Sequence, residues 1–315
     1  MAADQLPLPQ LVSVVIPCYN QARFLAEAIE SVQAQTHPFF EIVVIDDGST
    51  DDTVAVARRY KSVRCVTQRN QGQGAARNKG LTYVSGGYVV FLDSDDRLLP
   101  AALEIGLRCF AAHPQSAFVA GRCVSIDMRG VQQPVRHDPV VERDHYLRLL
   151  ETNYIWTPGT VMFRTEVVRR IGGFKRTVSG AEDYDLYLRI ARHDRIFCHD
   201  HVVTEYRQHN LSTSRRPMQM MRSSLNVMNG QRSAVRGDPM AERALREGIR
   251  HWQDAYGEQL INAVRKQLRA REWRQALPSL IGLLQYHPGG FFHHACRKIS
   301  RVARGRKRES PDAIG

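Results

Sequence analysis

Two rhythms of apolar and polar positions run through the first 110 residues. The β-branched runs LVSVVIP (11–17), EIVVID (41–46), VRCVTQ (63–68) and YVVFLD (88–93) have the length and composition of strands, the first of them a buried one. Between them the spacing turns helical. Phe24, Ala28 and Val32 fall on one face of a helix that Asn20 is placed to cap, a second helix passes through Val54, Ala57 and Arg58, and GAARNKGLTYV (74–84) predicts a third. Strand and helix in strict alternation predict an α/β fold with a largely parallel sheet covered by helices.

Past residue 110 the pattern loosens. SAFVAGRCVSIDMRGVQQ (116–133) reads as a strand and a hairpin, and VERDHYLRLLE (141–151) as a short helix. From about residue 219 to 285 the chain reads as helices, with Leu260, Val264 and Leu268 recurring every four residues. The expected organisation is an N-terminal tail (1–10), a main domain (11–215) in two halves (11–115 and 116–215), a helical extension (216–288) and a C-terminal tail (289–315).

The polar motifs of the first half share an edge. PCYN (17–20), DDGSTDD (46–52), QRNQGQGAARN (68–78) and DSDD (93–96) each follow a predicted strand, and in such sheets ligands bind beyond the carboxyl ends of the strands. Any one of the four could be turn and cap residues alone. Asp93, Asp95 and Asp96 are harder to place, because carboxylates that close repel one another and need a cation or solvent. Asp96, ahead of Pro100, reads as a solvated acid at a helix start.

Composition narrows the class. With 315 residues, 43% of them hydrophobic, the chain can bury a sizeable core. No run approaches the 18 or so apolar residues of a membrane span, and MAADQLPLPQ lacks the pattern of a signal peptide, so a cytoplasmic location is expected. Six cysteines without CxxC spacing argue against a disulfide framework or thiolate zinc. The formal charge is +12, and residues 291–315 alone carry seven Lys and Arg against Glu309 and Asp312. Without a nucleic-acid-binding motif, that imbalance points away from nucleic acid and towards an anionic membrane surface, met peripherally. Phe291, Phe292, Ile299 and Val302 give the segment an amphipathic cast, although a solvated tail would have the same composition.

Taken in order, PCYN, IDDGSTDDT, NQGQGAARNKG and FLDSDD resemble the nucleotide-sugar-binding half of the family 2 glycosyltransferases, which have the A-type glycosyltransferase (GT-A) fold, a Rossmann-like sheet. GGF (172–174), SGAEDYDLYLRIA and YRQHNLSTS (206–214) resemble the acceptor half. The resemblance implies a hexosyltransferase acting by inversion. The QxxRW signature of processive members is absent, which implies one sugar transferred per encounter.

The implied roles are specific. A divalent cation, Mg2+ or Mn2+, would sit on Asp95 with His209 completing the site, while Asp93 would contact it through water or hold the ribose. Tyr19 and Asp47 would hold the base of the donor, with Asn20 among the nucleotide-sugar-binding residues, Pro17 shaping that turn, Asp46 as a buttress and Arg77 offering a fork to base or phosphates. Asp183 would be the general base and Glu182 its partner. Trp156 is open between an acceptor platform and a core position. The implied donor is a nucleotide sugar, a UDP-sugar favoured, and the acceptor a glycan or lipid-linked hydroxyl. Two alternatives remain open: a nucleotidyltransferase, which would want a glycine-rich, lysine-bearing loop where PCYNQAR stands, and a non-catalytic nucleotide-sugar-binding module, which need not keep DSD and the Glu182–Asp183 pair.

Overall fold

The central strand β1 (Val12–Cys18) is buried along its whole length, and this is why it reads as an apolar run broken only by Ser13. The computed structural model describes residues 10–134, 139–209 and 216–286. On one side of β1 lie β2 (Phe40–Asp46) and then β3 (Val63–Thr67), on the other β4 (Tyr88–Phe91), all parallel. Helices α1 (Ala22–Gln33), α2 (Thr53–Ala57) and α3 (Gln73–Leu81) make the crossovers, and α1 buries Phe24, Leu25, Ala28, Ile29 and Val32. Pro17 is tolerated in this central strand because alternate residues bond the same neighbour. Val15 accepts from Leu92 N at 2.9 Å, and the ladder to β4 ends at Val15, so the N–H that Pro17 lacks would have met no partner there.

Beyond β4 the sheet becomes mixed. The chain runs through β5 (Arg97–Leu98), α4 (Ala102–Ala112), β6 (Ser116–Ile126), β7 (Gln132–Gln133), α5 (His145–Glu151), a 3-10 turn (Pro158–Thr160), β8 (Val161–Arg164), α6 (Thr165–Arg170), α7 (Glu182–Ala191) and β9 (Arg195–Arg207). The strand order is β3-β2-β1-β4-β8-β6-β9-β5, with β7 as a hairpin on β6. β8 is antiparallel to both β4 and β6, and β6 and β9 are parallel. Two residues of β5 pair with β9, an element that RLLP does not announce because the strand exists only through its partner.

Asn20 does not cap α1. It sits in the left-handed region (φ 52°), where its Oδ1 accepts from Thr50 N at 2.8 Å, and the chain turns into α1 two residues later with Ala22 N donating to Asp51 Oδ2. Asn tolerates that backbone better than other non-glycine residues, so the same chemistry that suits it to a cap suits it to this turn.

The chain divides into two compact units, Met1–Ser212 and Thr213–Gly315. In the second, α8 (Pro217–Gln231), α9 (Pro239–Arg269) and α10 (Trp273–Tyr286) bury Met221, Leu225, Leu260, Ile261, Val264 and Leu283. Asp238 caps α9, accepting from Met240 N and Ala241 N. Leu268 departs from its predicted face and is exposed, because a four-residue repeat drifts by roughly 40° per step and leaves it about 80° from Leu260. No described helix is long and apolar enough to cross a membrane. Residues 1–9, the end of the YRQHNLSTS motif (210–214) and the basic tail with its amphipathic pattern lie outside the described residues.

Candidate active site

The four strand ends converge, and their loops are tied to one another by side chains. Asn20 N donates to Ser49 Oγ at 2.9 Å, joining the PCYN turn to the DDGST turn, while Tyr19 stands half exposed beside them. Asp46 and Asp47 are both buried and do different work. Asp46 Oδ1 accepts from Ser49 N at 3.0 Å and closes its own turn. Asp47 reaches across: Oδ1 accepts from Gln71 N (2.9 Å) and Gln68 Nε2 (2.8 Å), and Oδ2 from Gly72 N (2.8 Å). Its carboxylate therefore holds the 68–72 loop in place. Gly48 (φ 79°) is required where the two loops touch, since a Cβ there would lie 2.9 Å from Asn70 N.

The three aspartates after β4 have three different partners. Asp93 Oδ1 accepts from Arg77 Nη2 at 2.7 Å and from Gln73 Nε2 at 2.8 Å. Burial raises its carboxyl, with the Arg77 guanidinium opposing and the Asp95 charge adding to the rise. Asp95 Oδ2 lies 2.7 Å from His209 Nε2, and the imidazole stacks on Phe24 of α1 with ring centroids 5.5 Å apart. Two residues 114 positions apart thus meet at the strand end. Asp96 is not a solvated helix-start acid. It is buried and accepts from Arg207 N (2.9 Å) and Thr157 Oγ1 (3.0 Å), because the chain enters β5 here rather than a helix and turns Asp96 inward towards β9. Burial, together with the charges of Asp95 and Asp93, pushes its carboxyl well above the usual range.

Arg207, which the sequence reading passed over, anchors this corner. Its guanidinium is buried and donates to Asp95 O (2.8 Å), to Asp127 O and Met128 O (both 3.2 Å) and to Glu27 Oε2 (2.6 Å), and it lies 4.7 Å from the Phe24 ring centroid. Arg97 joins the same network through Glu27 (3.1 Å) and Glu205 (2.7 Å). The available signal was an arginine two places before the histidine of YRQHN. Nothing in its spelling distinguished it from a surface cation.

The second half brings its own acids to the same place. Asn78 of α3 clamps the GGF turn: Phe174 N donates to Asn78 Oδ1 (2.8 Å), and Asn78 Nδ2 donates to Phe174 O (2.7 Å). Gly173 (φ 66°) is needed there, for a Cβ would overlap Asn78 Oδ1. Phe174 in turn lies under Arg77, ring centroid to guanidinium 5.2 Å. Glu182 and Asp183 open α7, where Arg77 senses the charges of Asp93, Asp183 and Glu182 together. Gly74 lets the start of α3 pass beside Glu182, since its Cβ would lie 3.2 Å from Glu182 Cγ. Burial lifts the Asp183 carboxyl to about 6, with Arg77 opposing and Glu182 reinforcing the rise.

Trp156 is half exposed and so is not a core tryptophan. With Cys123, Val140, Val141, Tyr154 and His199 it lines a pocket of about 600 Å³, part of it open to solvent, and the next residue, Thr157, holds Asp96. Among the described residues no closed cage of three or more His, Cys, Asp or Glu is formed. The donor set of Asp95 and His209, with Asp93 nearby, suits an ion whose remaining ligands are phosphate and water oxygens.

Known proteins share this arrangement at the level of the fold. The chain is 35% identical over 188 residues to a protein called "Uncharacterized glycosyltransferase" from Rickettsia felis, a match covering 59% of this chain and 31% of that relative. The chain therefore spans about a third of that relative's length. The structure of TarS 1-349 from S. aureus in complex with UDP matches with a TM-score of 0.62 at 22% identity, covering 88% of this chain and 81% of TarS 1-349. The mannosyltransferase PcManGT from Pyrobaculum calidifontis, in complex with GDP-Man and Mn2+, matches with a TM-score of 0.57 at 22% identity over 86% of this chain and 85% of its own. Together these place the main unit in the GT-A fold. The sequence signature of Glycosyl transferase family 2 matches residues 13–172, and the chain belongs to that family.

Proposed function

We propose that the protein moves one sugar from a nucleoside-diphosphate donor to a hydroxyl acceptor, with inversion, in a single metal-assisted displacement. The observation that carries this reading is Arg77, bonded to Asp93 at 2.7 Å and acted on by the charges of Asp183 and Glu182, with the Asp95–His209 pair two residues along from Asp93. The acceptor oxygen attacks the anomeric carbon, the bond from that carbon to the β-phosphate oxygen breaks, and the nucleoside diphosphate leaves with the electron pair. Asp183 takes the acceptor's proton. A carboxyl lifted to about 6 suits that task, being ionised at neutral pH yet more basic than an ordinary aspartate.

Asp95 and His209 would hold Mg2+ or Mn2+, whose chemistry is to offset the charge that builds on the leaving pyrophosphate. Asp93, held by Arg77, faces the ribose end of the same site. Tyr19 and the loop pinned by Asp47 form the base-binding wall, with Pro17 and Asn20 setting the turn that presents Tyr19. UDP in TarS and GDP-Man with Mn2+ in PcManGT support a nucleotide-sugar donor, and a UDP-sugar is favoured. The acceptor, a glycan or lipid-linked hydroxyl, enters from the side of Trp156, whose half-exposed ring offers a flat face to a sugar or an apolar aglycone.

A panel of UDP- and GDP-sugars, each with and without Mn2+, tests the reading through release of nucleoside diphosphate. Metal-dependent release from one donor, lost in Asp95→Asn, is the expected result. Release of inorganic pyrophosphate from a nucleoside triphosphate would establish the nucleotidyltransferase, and donor binding without turnover on any acceptor would establish the non-catalytic module.

A further inference from the structure

We infer that α10 docks the protein on the surface of an anionic lipid bilayer through an apolar stripe that the described residues leave uncovered. This inference rests on the helical unit alone and is independent of the reaction proposed above. Ala276 and Leu283 of α10 turn inward and are buried. Trp273, Leu277, Ile281 and Leu284 point the other way and are 65%, 57%, 54% and 45% exposed. Their spacing puts all four within roughly 80° of one another around the helix, so they form one continuous stripe rather than scattered apolar residues. A helix apolar on two faces belongs in a core or at an interface, and only one face of α10 has its core.

The charges around the stripe name the partner. Arg265, Lys266 and Arg269 at the end of α9, Arg271 in the turn and Arg274 in α10 are all exposed, and Glu272 is the one carboxylate among residues 265–286. Self-association through this face would bring two such cationic sets together across a symmetry axis. An anionic bilayer instead meets the cations with lipid phosphates, while Trp273 and the leucines enter the boundary between head groups and acyl chains. The absence of acidic residues in α10 itself removes the repulsion that would oppose this. No described helix is long and apolar enough to span the bilayer instead.

The full chain should partition onto phosphatidylcholine–phosphatidylglycerol vesicles, weakly onto phosphatidylcholine alone, and less as salt rises. The emission of Trp273 should shift to the blue on binding, and Trp273→Phe should lose the shift. Leu277→Glu with Ile281→Glu should lower partitioning on the order of tenfold or more, with an unchanged melting temperature because both positions are exposed. As a second variant, Arg269→Gln with Arg271→Gln and Arg274→Gln should lower binding to the anionic vesicles and leave binding to the neutral ones unchanged. Equal binding of the glutamate variant and the unaltered protein would overturn the inference and assign any lipid affinity to another segment, such as the basic tail. Concentration-dependent dimerisation without lipid, abolished by Leu277→Glu with Ile281→Glu, would also overturn it, by making the stripe a contact between copies.

Discussion

Asp183→Asn separates the cost of the site to the fold from its value to the reaction. The substitution keeps the shape and removes the proton acceptor, so turnover should fall by about 10² to 10⁴, equivalent to about 3–5 kcal/mol of transition-state stabilisation, with donor KM little changed. Stability should move the other way. The Asp183 carboxyl is raised from 3.8 to about 6 by burial and by Glu182, with Arg77 opposing. A carboxyl that is harder to ionise in the folded chain than in the unfolded one costs nothing below its unfolded value. The cost grows between 3.8 and about 6 and is fully present above that. Two pKa units correspond to an upper bound of about 3 kcal/mol, so the variant should melt higher than the unaltered protein at about pH 7.5 and equally at about pH 3.5. The unaltered enzyme's kcat should rise with pH through a midpoint near 6, and in Glu182→Gln, where a neighbouring negative charge is removed, that midpoint should move to lower pH. Differential scanning calorimetry and a pH series of nucleoside diphosphate release read both effects. Normal turnover in Asp183→Asn, or a flat profile across pH 5 to 8 in the unaltered enzyme, would refute the assignment.

Arg207→Gln should cost about 2–3 kcal/mol in a urea titration, less than the usual loss for a broken buried pair because Glu27 is partly exposed and keeps Arg97. The same variant should weaken Mn2+ binding measured by titration calorimetry, since Arg207 holds the backbone of Asp95. Asp47→Asn replaces one of two acceptor oxygens with an amide that faces the N–H donors of the 68–72 loop, so donor KM should rise on the order of tenfold while kcat changes less. An unchanged KM would show that this loop does not form the donor site.

The α/β alternation was legible because the largely buried strands β1, β2 and β4 spell nearly continuous β-branched runs, and because polar residues gather at the carboxyl ends of all four. β1 to β4 and α1 to α3 follow from that pattern. β5 and the antiparallel insertion of β8 were not legible. A two-residue strand has no periodicity, and the sign of a pairing depends on where the chain returns rather than on its spelling. Asn20 misled because one side chain serves equally well as a helix cap or as a clamp between turns. Leu268 misled because a period of four matches a helix over two steps and fails over longer distances. Arg207 was invisible for a different reason: a buried arginine is recognised by what surrounds it, and its partners Glu27, Asp95 and Asp127 are contributed by three separate elements.

The crowding of Asp93, Asp95 and Asp96 finds its explanation in how the fold sorts them. Each meets a different partner supplied from elsewhere: the Arg77 side chain from α3, the His209 imidazole beyond β9, and the backbone N–H of Arg207 at the end of β9. The sorting also grades their accessibility. Asp96 is sealed beneath Thr157 and is the one whose carboxyl burial raises most clearly. Asp93 is half satisfied by Arg77 and Gln73. Asp95 is left with an imidazole, a partner that can be neutral and can share a metal ion with a carboxylate, as neither an arginine nor a backbone amide can. Asp93 is already paired with a guanidinium and Asp96 is buried beneath Thr157, so Asp95 is the one of the three that fits the cation role proposed above. The side chain paired with it, His209, lies in the last described stretch of the main unit, held in register by Arg207 two residues before it.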